Sequence, residues 1–175
     1  MPERGDSGLS LRGQLSRIAA APPNGYLEGW RLRAEGELAG TTGPARVRAG
    51  YQFEINDRAD LTAGNEFFSH SPMRHRLGLS LDHPLASGWF LQWGVRYRYS
   101  YYRDPDRFVQ GGVLREQRRV EELVDAGLRA RRPLGSEINV LLEYQYSHNT
   151  STVDVFNYDR HVVSIGLEWV PRKKT

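Results

Sequence analysis

The residues that could do chemistry are few. His161 and Ser164 could open a hydrolytic Ser–His–acid relay. They stand three positions apart in an alternating segment, so an extended backbone points them to opposite faces, where they cannot share a proton. Ser69, His70 and Ser71 fall in a turn-like stretch with no evident acid partner. The five histidines, at 70, 75, 83, 148 and 161, have no ligand-like spacing. The chain has no cysteine, which removes thiol nucleophiles, disulfides and Cys–zinc sites. Asp104-Pro105-Asp106 has the composition of a turn rather than of a calcium loop. Gly111 and Gly112 punctuate a loop and do not make a phosphate cradle. The expectation is therefore no enzyme, no metal and no cofactor.

What remains is charge. Of 24 basic residues only Lys173 and Lys174 are lysines, which leaves 22 arginines against 21 acids. The arginines are interleaved with acids instead of forming a basic stripe, so no nucleic-acid partner is expected. What these charges do depends on the elements that position them.

Those elements have a period of two. In 26–38, Tyr26, Trp30, Leu32 and Leu38 alternate with Arg31, Arg33, Glu35 and Glu37. In 46–56, Val47, Ala49, Tyr51, Phe53 and Ile55 alternate with Arg46, Arg48, Gln52 and Glu54. The same pattern runs through 73–83, 89–101, 137–147 and 161–170. Weaker versions occupy 9–19 and 59–68, the latter with Ala59, Leu61, Ala63 and Phe67 set against Asp60, Thr62 and Glu66. Each segment presents one apolar and one charged face. Residues 115–131 fit a helix through Val120, Leu123, Val124 and Leu128, but their neighbours favour a strand with Glu122 as a misfit. The count is nine strands.

Short connections at Asn56–Arg58, His83–Gly88 and Arg132–Ser136 alternate with long ones at Arg103–Leu114 and His148–Asp159. This predicts an all-β antiparallel meander, a transmembrane β-barrel of about 8–10 strands that is either complete or part of a larger one. It would span 9–170, after a flexible N-terminus at 1–8 and before a tail at 171–175. The N-terminal residues carry no apolar run of the signal-peptide kind. With the strand pattern, that leads us to expect a mature chain or a fragment.

Alternation fits an apolar face turned either inward or outward. Three features favour outward. The segments are longer than ordinary strands, which average about five or six residues. Aromatics gather near segment ends on the apolar face, as in membrane-interface girdles. The polar face carries charges that can pair. Lipid-facing anchors would be Trp30, Tyr51, Phe53, Trp89, Trp93, Tyr97, Tyr99, Tyr144 and Trp169. Folding the chain about its turns puts Arg48 near Glu66, and Arg74 and Arg76 near Arg98 and Arg96. It also puts Arg131 near Glu137, with Glu168 one strand further. Glu66 and Glu121 would bracket the arginine cluster. These ten residues form the expected lumen, either as ordinary salt bridges or as an anion-attracting constriction.

Several pieces carry a family resemblance: the turn Arg132-Pro133-Leu134-Gly135, the strand end EYQYSHNTS, the segment NYDRHVVSIGLEW and the hairpin LGLSLDHPLASGWFLQWGVRYRYSYY. They resemble the C-terminal barrels of Gram-negative outer-membrane proteins, in particular tetratricopeptide-linked porins and surface lipoprotein assembly modulators. The resemblance implies an outer-membrane location, contact with outer-membrane lipids and handling by the barrel-assembly machinery. It implies a pore or export conduit for an anionic polymer or a lipoprotein cargo. Two alternatives stand beside it: a small barrel plugged by its own salt bridges and acting as a membrane anchor or scaffold, and a soluble lipocalin-like ligand-binding barrel. Two features depart from the family. The chain continues past Trp169 into Pro171, Arg172 and Lys173, and nine strands is an odd number.

Overall fold

The computed structural model describes residues 7–19, 28–58 and 66–170, with the backbone of 61–63. The termini at 1–6 and 171–175, and Tyr26, Ala59 and Asp60, lie outside the described residues. Among the described residues there is no α-helix, and the chain is almost wholly antiparallel strand.

The strands are β1 (Ser7–Ile18), β2 (Gly29–Thr42), β3 (Ala45–Arg58), β4 (Leu61–Ala63), β5 (Glu66–Phe68) and β6 (Pro72–Pro84). After these come β7 (Phe90–Tyr102), β8 (Asp106–Gln110), β9 (Val113–Gln117), β10 (Val120–Pro133), β11 (Ile138–Ser151) and β12 (Tyr158–Trp169). The eight long ones form a meander in the order β1-β2-β3-β6-β7-β10-β11-β12. The four short ones form a second sheet, β4-β5-β8-β9.

The meander has two unlike rims. Short connections join β2 to β3 through Gly43-Pro44, β6 to β7, and β10 to β11. Gly43 takes a φ of 56°, which the tight turn requires and a side chain would resist. Long connections join β3 to β6 and β7 to β10, and these carry the second sheet. The start of β1 and the end of β12 lie on the short-turn rim, since Ser7 pairs with Gly40 and Trp169 with Ile138.

One expectation needs correction, and a second, the strand reading of 115–131 with Glu122 as its misfit, holds with a break in it. Residues 59–68 are not a long strand. Here β3 continues through Arg58, where a turn was expected, and the chain then makes the small β4–β5 hairpin. Apolar alternation by itself cannot distinguish a wall strand from a loop hairpin. The long strands therefore number eight. In 115–131 there is no helix; β9 and β10 meet at Arg118-Arg119, and Glu122 faces outward among apolar neighbours. The Tyr97 hydroxyl hydrogen-bonds its carboxylate.

Burial runs opposite to that of a soluble barrel. The buried side chains include Glu54, Asn56, Ser100, Asp106, Arg119, Glu121 and Asn149. The exposed ones include Leu11 and Ile165, each at 78%. Register places Arg33, Glu54, Arg74 and Ser100 in one row on the polar face, and Ala49, Leu79, Val95 and Ala126 in one row on the apolar face.

The entry to β2 is tight. A Cβ on Gly29 would lie 2.0 Å from the Asp57 carbonyl oxygen. Gly29→Ala should therefore destabilise the chain by about 1–3 kcal/mol, as overpacking does, whereas Gly13→Ala, with open space around it, should shift the urea midpoint far less.

Candidate functional site: the charged interior

Glu54 is the centre of the interior. It is 3% exposed. Alternation on β3 turns it inward, and the direct partners of its backbone are Arg33 on β2 and Arg74 on β6. Arg33 Nη2 lies 3.1 Å from Oε2, Arg74 Nη1 3.3 Å from Oε1 and Arg76 Nη1 3.4 Å from Oε2. Asn56 Nδ2 donates to Oε1 at 2.7 Å, and Gln52 Nε2 to Oε2 at 3.3 Å. A buried carboxylate needs such compensation, because desolvation alone would neutralise it.

The charges continue round the wall. Arg76 pairs in register with Arg98, whose Nη2 lies 3.7 Å from Glu121 Oε2. Glu121 also accepts the Tyr102 hydroxyl at 3.3 Å. Nearer the short-turn rim, Arg48 Nη2 donates to Asp82 Oδ2 at 2.8 Å and its Nε to Ser80. Gln92 donates to the other oxygen of Asp82.

At the long-loop rim the latch is Arg119. Its guanidinium lies 3.7 Å from the Tyr102 ring centre and 4.0 Å from that of Phe156. Nη2 donates to the Ser69 carbonyl at 2.7 Å. Nε sits 3.3 Å from Asp106 Oδ2 and 3.5 Å from Glu121 Oε1, close to both carboxylates but aligned for a hydrogen bond with neither. One side chain thereby joins the β5–β6 loop, β7, β8, β10 and the β11–β12 loop. Cation–π contact is strongest where water is excluded, and Arg119 is only 5% exposed.

Sequence alone placed these charges unevenly. Arg48, Arg74, Arg76, Arg96, Arg98, Glu121, Arg131 and Glu168 all lie on the polar face of the long sheet. The expected register was two residues off: Arg76, not Arg74, lies opposite Arg98. Glu66 is on β5 in the second sheet, where Oε1 accepts the Val109 N–H, so the carboxylate beside Arg48 is Asp82. Glu137 stands in the β10–β11 turn, and Arg131 reaches Glu168 at 4.0 Å. Glu54, Arg33, Asn56, Asp82, Asp106 and Arg119 were not anticipated. The first three share the inward parity of their strands and were legible; the false strand at 59–68 put Glu66 in the place of Glu54.

The aromatic anchors Trp30, Tyr51, Phe53, Trp93, Tyr97, Tyr99, Tyr144 and Trp169 all have outward parity. Trp89 lies in the turn before β7, 5.6 Å from the Arg132 guanidinium. Outward tyrosines also meet histidines: the Tyr51 hydroxyl hydrogen-bonds His75 at 2.7 Å and that of Tyr144 bonds His161 at 2.9 Å. Ser164 faces inward and His161 outward. Among the described residues no cluster of ligating side chains could hold a metal ion.

Below the Glu54 row lies a cavity of about 860 Å³, lined from Ser10 and Arg12 on β1 to Glu143 and Ser147 on β11. Its charged lining is nearly balanced: Arg12, Arg48, Arg76, Arg96 and Arg129 against Glu35, Glu37, Asp125 and Glu143. Comparison with protein-family models, with curated proteins and with solved structures gives no match.

Removing the charge of Glu54 leaves three arginines facing one another. Glu54→Gln should cost about 3–5 kcal/mol, the range for breaking a buried pair, read as a fall in the unfolding midpoint. Asp57→Asn, which breaks the exposed pair with Arg103, should change stability by about 0–1 kcal/mol.

The latch adds a pH dependence. Burial pushes the Asp106 carboxyl above the usual Asp range, against the pull of the Ser69 N–H and of Arg119. A raised carboxyl pKa means that the folded state favours the protonated form. Its stabilisation is then complete below the unfolded pKa and is lost as pH rises through the raised value. Asp106→Asn should flatten that part of the stability profile while leaving the Ser69 N–H an acceptor.

Proposed function

We propose that this chain is an eight-stranded outer-membrane barrel of a Gram-negative bacterium whose long-loop end is plugged by its own ion pairs, and that it serves as a membrane anchor or scaffold. The carrying observation is the inverted burial: a largely apolar face, interrupted by Glu122, His75 and His161, turned outward on eight strands of 12–14 residues, with charged groups inside. A crossing takes about 9–11 tilted residues, so each strand is long enough. An exposed apolar surface of this extent needs a partner, and lipid on all sides is the one that suits it. The two-rim plan, with short turns on one side and long loops on the other, belongs to the same architecture.

Strand number separates the anchor from the conduit. Eight strands leave an interior just wide enough for side chains to fill. Glu54, Glu121 and Arg119 occupy the long-loop end, and the second sheet lies among its loops. A soluble ligand-binding barrel would need the apolar side chains inside, and they point the other way. A conduit for an anionic polymer or a lipoprotein cargo is supported only by the cavity below the Glu54 row.

The test is refolding from urea into bilayers beside refolding in plain buffer, read by circular dichroism and heat-modifiable gel mobility. We expect folding only with lipid, and no steady conductance in planar bilayers. Folding as a soluble monomer in buffer would overturn the membrane assignment. An open ohmic pore whose anion preference falls on neutralising Arg74, Arg76, Arg96 and Arg98 would establish the conduit instead. In bilayers Leu79→Arg, midway along the outward face, should cost about 2–4 kcal/mol.

A further inference from the structure

The long sheet ends in two edges, β1 and β12, and no ladder joins them among the pairings of the described residues. Resting on the bilayer assignment above, we propose that these edges pair with each other in one register that sets Arg12 opposite Glu168 and closes the barrel.

Both edges need a partner. Each strand has 12 residues and no proline, so neither is shortened or broken as protected edges commonly are. Their outward residues, Leu11 and Leu15 on one side and Val163, Ile165 and Leu167 on the other, are among the most exposed apolar groups of the chain. In lipid every unpaired N–H and C=O on such an edge is costly, which is why membrane sheets close. Two occupants suit these edges: the opposite edge of the same chain or that of a second copy. The fold favours the same chain. An even strand number makes β1 and β12 antiparallel. One cavity is lined by β1 and by β11, so the sheet already curls towards its own start.

The register follows from barrel geometry. Strands tilted by about 35–45°, spaced about 4.8 Å apart and rising about 3.4 Å per residue, require for eight strands a shear of about 8–11 residues. Inward residues must meet inward residues, so the shear is even. The middle of the range selects about 10. The ladder gives the starting point: Ser10 leads through Glu37, Gly50, Gly78, Arg96, Asp125 and Ser147 to Arg160. The cavity gives the sense of the tilt. Ser10 and Arg12 lead along the ladder to Ser147 and Asn149, yet the cavity on β11 is lined by Glu143, Gln145 and Ser147. The level thus drops towards the short-turn rim from β1 to β11. A shear of about ten in that sense sets Glu168 opposite Arg12, Gly166 opposite Gln14 and Leu167 opposite Gly13.

Charge agrees with this register. Arg12 lies 3.3 Å from Glu35 and its side chain is 79% exposed, with room for a second carboxylate. Glu168 accepts Asn139 Nδ2 at 2.9 Å and lies 4.0 Å from Arg131. Closure would join them into a run Glu35–Arg12–Glu168–Arg131 across the seam. A shear two residues smaller would put Ser10 against Glu168 and Arg12 against Gly166.

The absence of native cysteine makes the test clean. Leu167→Cys is combined in turn with Leu9→Cys, Leu11→Cys, Gly13→Cys and Leu15→Cys. Each double variant is folded into bilayers, checked by circular dichroism, oxidised with a copper catalyst and run on non-reducing gels. Direct cross-strand neighbours lie within disulfide reach, and diagonal ones lie near its limit. We expect an intramolecular disulfide at Gly13→Cys at several times the yield of any other position. A maximum at Leu11→Cys or Leu9→Cys overturns the register. Disulfide-linked dimers overturn closure within one chain. Lipid-dependent folding with no cross-link at any position overturns the pairing and the eight-stranded closed barrel, and leaves only contact of the outward apolar face with lipid standing. Failure to fold in bilayers, visible before oxidation, overturns the bilayer assignment and the closure with it.

Discussion

A carboxylate shut away from water stays ionised only if donors surround it, and Glu54 has five. Three come from arginines on both neighbouring strands and two from amides on its own strand. Meeting that requirement holds β2, β3 and β6 in register on their inner face. A slip by one residue would turn Arg33 and Arg74 outward and bring Leu32 or Met73 in. It would also leave the carboxylate buried among apolar side chains. The interior is thus specified by ion pairs where a soluble barrel would use hydrophobic packing. Such pairs add little net stability over an apolar core of equal volume; what they impose here is which residues may face each other.

The long-loop rim uses the same currency with a different geometry. Arg119 is held between two rings and beside two carboxylates, and the backbone on either side of it is tied down. Tyr102 N donates to the Arg119 carbonyl, and Val120 N donates to the Thr152 hydroxyl. Asn149 Nδ2 donates to the Phe156 carbonyl and so seats the second ring. Ser71 makes a reciprocal pair with Arg58 that pinches the neck of the β3–β6 connection. The long connections are therefore structured, and the second sheet belongs to the wall through these contacts rather than through any ladder with it.

Much of this was legible in the chain. Alternation of apolar and polar residues assigns each side chain of a strand a face, and it does so for Trp30 to Leu38, Val47 to Ile55 and Val163 to Trp169. The charged face was legible too. The identity of the charge centre was not. Residues 59–68 alternate as well as β1 does, but local pattern carries no information on whether a segment joins the wall or folds back on its own loop. Admitting it as a strand moved every pairing beside it, and Glu66 was set where Glu54 stands. Asp106 lies in the connection after Tyr102 and Arg119 at the edge of the ambiguous segment 115–131, so nothing local could bring them together.

The sequence by itself determined the class of the fold and the two unlike faces of each long strand, since those follow from backbone geometry within one segment. Only the tertiary structure decided which face turns outward, which carboxylate gathers the arginines and which loops lock the rim. Those outcomes depend on partners some 20–50 residues away in the chain, and such contacts are set by register and curvature, which a two-residue period leaves open.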